Sequence, residues 1–122
     1  MKYKKALILI AHGSRVTSTQ EEMTAMVQKI GASLPDTLVL GAYMELQEPN
    51  LEQTIEMVIA QETMRVDILP LFVFKGRHIR DDIPAQVEDC QKRFPTCNIV
   101  LQRYIGSSEF FVKAIADSVD TF

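Results

Sequence analysis

The sequence predicts an α/β fold: a single doubly wound domain whose four-stranded parallel sheet is flanked by helices. Three observations carry this. Short apolar runs alternate with stretches of helical spacing from end to end, in the order βαβαβαβα, and such alternation marks a parallel sheet with helices on both faces. The length of 122 residues suits one domain rather than two. A hydrophobic share of 47% against 24% charged residues supports one continuous core and excludes a disordered chain. No repeat, low-complexity tract or long linker interrupts the pattern, so residues 1–122 read as one domain with right-handed crossovers.

Residues 6–11, ALILIA, form the continuous apolar run expected of a strand covered on both faces. The basic opening Met1-Lys2-Tyr3-Lys4-Lys5 before it is only superficially like an export signal, because the apolar run is short and ends in His12-Gly13-Ser14-Arg15. Ser18 and Glu21 have capping-box spacing. Met23, Met26, Val27 and Ile30 then carry a helix to about Ala32, with Gly31 and Pro35 marking its exit. The second strand covers 38–44. Asn50 caps the second helix, with Pro49 before it, Gln53 three residues on, and Leu51, Ile55, Val58 and Ile59 as its buried stripe. The third strand covers 66–74, the most apolar stretch of the chain. Asp82 is expected to cap the third helix, Pro84 is tolerated in its first turn, and Phe94-Pro95 ends it. The fourth strand covers 98–102, and Gly106-Ser107-Ser108-Glu109 opens the last helix. The longest apolar runs fall far short of the ~20 residues a membrane-spanning helix needs.

Lys and Arg total 13 and Asp and Glu 16, a net charge of -3. That argues against general binding to nucleic acid or an anionic membrane surface, and an anionic ligand would need a local basic patch. The two cysteines, Cys90 and Cys97, lack metal-ligand spacing and read as core thiols of a protein in a reducing compartment, the cytoplasm. The six methionines fall mostly on helix stripes, as core filler does.

Open sheets of this kind bind ligands outside the carboxyl ends of their strands. The only two histidines, His12 and His78, follow the first and third strands, and Glu45 follows the second. A strand order of 2-1-3-4 would bring all three to one crevice. Two imidazoles and a carboxylate suit cobalt, nickel, iron or zinc, and the imidazoles can also accept protons near neutral pH. The plainer reading of one such histidine is a loop-end hydrogen-bonding residue; two at corresponding strand ends favour function. Lys75, Arg77 and Arg80 flank His78, and Arg15 follows His12. Guanidinium pairs well with carboxylates. The alternative is a solvated loop, partly neutralised by Asp81 and Asp82.

Together, Ala11-His12-Gly13-Ser14-Arg15, then Glu45-Leu46-x-x-Pro49 with Leu51, then Pro70-Leu71-Phe72 leading to Gly76-x-His78-x-x-x-Asp82-Ile83-Pro84, resemble the small CbiX-type sirohydrochlorin chelatases. These are class II chelatases, single-domain relatives of the two-lobed cobalt and iron chelatases, and the resemblance covers nearly the whole chain. It implies ATP-independent insertion of a divalent metal into sirohydrochlorin: Co(II) on the anaerobic route to cobalamin, with Fe(II) and Ni(II) as alternatives. It implies no organic cofactor and a homodimer in which two half-size subunits imitate one bilobal enzyme. By resemblance, His12 and His78 are the metal-binding and proton-accepting residues, with Glu45 as the nearby carboxylate. Arg15, Lys75, Arg77 and Arg80 would hold substrate carboxylates. Two other readings stay open at this point. One is a non-catalytic tetrapyrrole or metal carrier using the same crevice. The other is a phosphate-ester enzyme with His12 as nucleophile, weakened because Ala11 stands where histidine phosphatases carry arginine.

Overall fold

A computed structural model describes residues 3–122, so Met1 and Lys2 of the basic opening lie outside the described residues. Four strands, β1 (Lys5–Ala11), β2 (Thr37–Tyr43), β3 (Arg65–Pro70) and β4 (Asn98–Leu101), alternate with four helices, α1 (Ser18–Ser33), α2 (Leu51–Ala60), α3 (Ile83–Arg93) and α4 (Glu109–Ser118). A π turn, His78–Asp82, leads into α3. Every strand pairing is parallel and the order is β2-β1-β3-β4, as the alternation and the assumed strand order require. Ile10 is level with Ala42 on β2 and with Pro70 on β3, so three strands release the chain at one height.

The two-residue period of a strand divides β1 between two cores. Ala6, Ile8 and Ile10 pack with Leu51, Ile55 and Val58 of α2 and Ile83 and Cys90 of α3. Leu9 packs on the other face with Met23 of α1, Val39 and Tyr43. A strand buried on both sides cannot alternate with polar residues, which is why 6–11 is apolar throughout.

Local capping chemistry agrees with the sequence at α2 and departs from it at α1 and α3. The Asn50 side chain accepts the Gln53 amide at 2.8 Å while the Gln53 side chain accepts the Asn50 amide at 2.8 Å, a complete capping box. At α1 the Ser18–Glu21 box does not form: Thr17 precedes the helix with helical backbone and no side-chain cap. The entry is instead a turn in which the Ser14 hydroxyl accepts the Val16 amide at 3.0 Å, and the Thr19 amide and hydroxyl both bond to the Val16 carbonyl. At α3 Asp82 is no cap either. The π turn runs straight into the helix, so the Ile83 amide already bonds to the His78 carbonyl and the need a cap would meet is removed. Pro84 does sit in the first turn.

The third strand stops at Pro70 rather than 74. The Leu71 amide makes a last bond to the Ile10 carbonyl at 2.8 Å. On the other side β4 has already ended, since Leu101 is level with Ile68. Residues 71–77 therefore leave the sheet, with Val73 and Phe74 exposed. Ser108 caps α4 by accepting the Phe110 amide at 3.2 Å, yet α4 buries none of its residues, and Phe110 is 86% exposed.

Within the sheet, buried Asp67 accepts Lys5 at 2.9 Å, Arg65 at 2.9 Å and Gln102 at 3.2 Å. Burial alone would raise its pKa, but these three hydrogen bonds and the charge of Lys5 hold it below the ordinary carboxylate range.

Candidate active site

The exits of β1 and β2 stay bonded beyond the strands. The Met44 amide donates to the Ala11 carbonyl at 2.8 Å and the Glu45 amide to the His12 carbonyl at 3.0 Å. Gly13 permits this approach: its φ is +103°, and a side chain there would overlap the Glu45 carbonyl. Gln47 ties the same loops together, accepting the Ser14 amide at 2.9 Å and donating to the Thr19 hydroxyl at 2.9 Å. Leu46, between Glu45 and Gln47, takes a left-handed φ of 70°, a conformation costly for a non-glycine residue.

The result is a pair: His12 Nε2 lies 2.7 Å from Glu45 Oε1, and His12 Nδ1 lies 3.0 Å from the Gly13 carbonyl. A carbonyl and an ionised carboxylate only accept, so hydrogen-bonding both at once uses both ring N–H groups.

A second pair stands beside it. The π turn presents His78 with its ring centroid 4.8 Å from that of His12, the two planes inclined at 53°. His78 Nδ1 lies 2.7 Å from Asp82 Oδ2, and the Phe72 ring flanks His78 at 6.3 Å. Such π segments recur at functional sites. The loop that delivers His78 is braced by Gly106, whose amide donates to the Phe72 carbonyl at 2.9 Å and whose missing side chain leaves room for the Val73 carbonyl. All four side chains are roughly half exposed, from 40% for His78 and Asp82 to 51% for Glu45. The mouth is therefore open to a large ligand.

His12, Glu45 and His78 are thus brought together as the sequence anticipates. Among the described residues no three His, Cys, Asp or Glu side chains form a ready cage for an ion; the geometry is two adjacent histidine–carboxylate pairs. The sequence reading missed Asp82, because an aspartate ahead of a helix reads as a cap. It also missed Gln47, whose amide carries no chemical signature.

The basic residues divide. Arg80 is engaged by Asp81 through two bonds of 3.0 and 2.9 Å. Among the described residues Arg15, Lys75 and Arg77 form no close salt bridge, although the charge of Arg77 also reaches Asp81. Lys75 and Arg80 line an open depression of about 450 Å³ with Arg103, Tyr104 and Ser107. Arg103 follows β4, at the same sheet edge, and reading the fourth exit as closely as the other three would have found it. On the other flank, beside His12, a pocket of about 300 Å³ is lined by Met23, Met26, Tyr43 and Leu71. Burial raises the Tyr43 pKa, so its hydroxyl stays protonated. One edge of the sheet thus carries an apolar pocket, two histidine–carboxylate pairs and a cationic depression.

The family model for CbiX matches residues 6–122. The sirohydrochlorin ferrochelatase of Bacillus subtilis (strain 168) is 30% identical over 112 residues, which cover 92% of this chain and 43% of that protein. A crystal structure of a CbiX protein from Marinobacter aquaeolei VT8, whose name places it provisionally in cobalamin (vitamin B12) biosynthesis, superposes with a TM-score of 0.83 at 31% identity, covering 96% of this chain and 95% of that one. The sirohydrochlorin chelatase SirB from Bacillus subtilis subspecies spizizenii, solved in complex with cobalt, gives a TM-score of 0.83 at 29% identity and covers all of this chain but 51% of its own. The chain spans about half the length of the curated relatives it matches.

Proposed function

The chain belongs to the CbiX family, and on that premise we propose that it inserts a divalent metal, Co(II) before Fe(II) or Ni(II), into sirohydrochlorin without ATP. The observation that carries the reading is the pairing of His12 with Glu45 at 2.7 Å, one ring away from His78 at 4.8 Å, in an open mouth at the sheet edge. Such a set both binds a dication and receives protons. The metal first replaces the proton on His12 Nε2, with His78 and Glu45 completing its protein ligands; metal binding to imidazole releases protons in this way. The macrocycle then settles over the metal. Two pyrrole N–H bonds break and their protons pass to the bases in reach, His12, His78 or Glu45, as nitrogen replaces protein and water on the metal. Net charge is conserved: one dication enters and two protons leave.

Arg15, Lys75 and Arg77 are the cations in this reading that hold substrate carboxylates, and Arg103 joins them from β4. Arg80 contributes to the extent that Asp81 releases it. Cobalt is placed first because a solved relative at 31% identity is named for cobalamin biosynthesis. Iron is the second reading, favoured by the relative named ferrochelatase. Imidazole and carboxylate donors do not separate these metals by affinity order alone.

We also assign a homodimer. A macrocycle is wide relative to a four-stranded sheet, and the apolar residues Phe110, Val112 and Ile115 of α4 are uncovered. A cytoplasmic location fits both free, buried cysteines; no helix among the described residues is long and apolar enough to cross a membrane. The test is anaerobic metallation of sirohydrochlorin offered Co(II), Fe(II) and Ni(II) in competition, followed by absorption spectra. Catalytic turnover that collapses in both His12→Ala and His78→Ala is the expected result. Wild-type rates in both variants would exclude the mechanism, and product limited to one equivalent per chain would make the protein a carrier.

A further inference from the structure

Asp82 has the sequence position of a helix cap but not its bonding. Its backbone is helical, its side chain caps nothing, and its one hydrogen bond among the described residues is to His78 Nδ1, at 2.7 Å. We propose that Asp82 is a positioning residue that holds His78 in the Nδ1–H tautomer, leaving Nε2 as the lone pair that faces an incoming metal. This deepens the chelatase reading and rests on it.

The argument is one of donors and acceptors. An ionised carboxylate accepts only, so the Asp82 contact places the ring proton on Nδ1. The other nitrogen, Nε2, then has its lone pair free. At His12, Nδ1 likewise faces a pure acceptor, the Gly13 carbonyl, while Nε2 is engaged by Glu45 at 2.7 Å. Both rings therefore have Nδ1 tied by oxygen, but among the described residues only His78 has an Nε2 with no carboxylate on it. A carboxylate behind an imidazole fixes its orientation and strengthens it as a ligand, and removing such a partner characteristically costs 10–100-fold in metal affinity or activity. The π turn makes the pair possible: His78 and Asp82 are its first and last residues, and its backbone closes from the Ile83 amide to the His78 carbonyl. Asp82 is 40% exposed, so its replacement empties no part of the core.

The experiment uses the full chain, free of metal, at about pH 8, above the ordinary imidazole range. Long-range proton–nitrogen NMR correlations report the tautomer of each histidine. Wild-type His78 should show the Nδ1–H form, and Asp82→Ala should shift it toward the Nε2–H form with His12 unchanged. Titration with Co(II) alone, followed by its visible absorption, should show affinity reduced about 10–100-fold in Asp82→Ala. An unchanged His78 tautomer, or an unchanged Co(II) affinity, in that variant overturns the proposal. Neither readout uses sirohydrochlorin, so a wild-type protein that fails to metallate it would remove the chelatase reading and leave this test standing.

Discussion

His12 and Glu45 meet because a glycine lets two strand exits touch. Gly13→Ala adds a methyl group where the Glu45 carbonyl lies, at a backbone angle L residues avoid. It should cost about 1–3 kcal/mol of stability in urea unfolding and weaken Co(II) binding with it. Glu45→Gln tests chemistry apart from folding. Glu45 is half exposed, so stability should hold within about 0.5 kcal/mol, while the metallation rate falls on the order of 100-fold if Glu45 serves as a general base. Arg77→Ala should raise KM for the polycarboxylate substrate with kcat preserved, measured by steady-state metallation. At this scale the sequence discloses residues whose chemistry is rare. Two histidines and a carboxylate at three strand exits are visible without coordinates. Asp82 is not, because its partner is decided by a π turn that no spacing rule announces. The same holds for Gln47, whose hydrogen bonds to the Ser14 amide and the Thr19 hydroxyl span loops far apart in sequence.

Element boundaries show what apolarity measures. Residues 71–74 are as apolar as the strand before them, yet pairing ends at Pro70: β4 has stopped level with Ile68, and the last bond to β1 is made by the Leu71 amide. Apolar content reports contact with other apolar surface or exposure in a site loop, while a strand needs hydrogen-bonding partners as well. Helix starts follow a related rule. Asn50 caps α2 because the chain arrives extended, with ψ near 179°, so the first amides of the helix need a side-chain acceptor. Thr17 and Asp82 enter their helices already helical, where backbone carbonyls take that role. Asn50→Ala should therefore cost about 1 kcal/mol, whereas Thr17→Ala should change stability by less than about 0.5 kcal/mol. Chemical denaturation of the two variants side by side checks the contrast.

For the whole molecule, alternation and length anticipate a parallel sheet with its site at the carboxyl edge, while the order 2-1-3-4 is an assumption common to such folds, which the structure meets. What the last helix covers was not legible, because an amphipathic helix looks alike whether its partner is its own sheet or another copy. Phe110→Glu should shift the protein toward monomer in sedimentation velocity if the second copy covers α4. Global stability should also respond to acid through Asp67. Its folded pKa lies below its unfolded value of about 3.9, so its contribution is complete above that value and is lost as pH falls through the folded pKa. Asp67→Asn should destabilise the protein by about 1–3 kcal/mol at neutral pH, and the gap from wild type should narrow below about pH 4 in urea titrations. The two histidines, finally, are mounted differently. His12 and Glu45 are fixed to each other by backbone bonds that extend the sheet, whereas His78 rides on a turn beyond the end of β3. The crevice is thus a vice with one jaw bolted to the frame: the sheet sets the His12–Glu45 spacing, and the loop and turn that carry His78 set the gap between the rings.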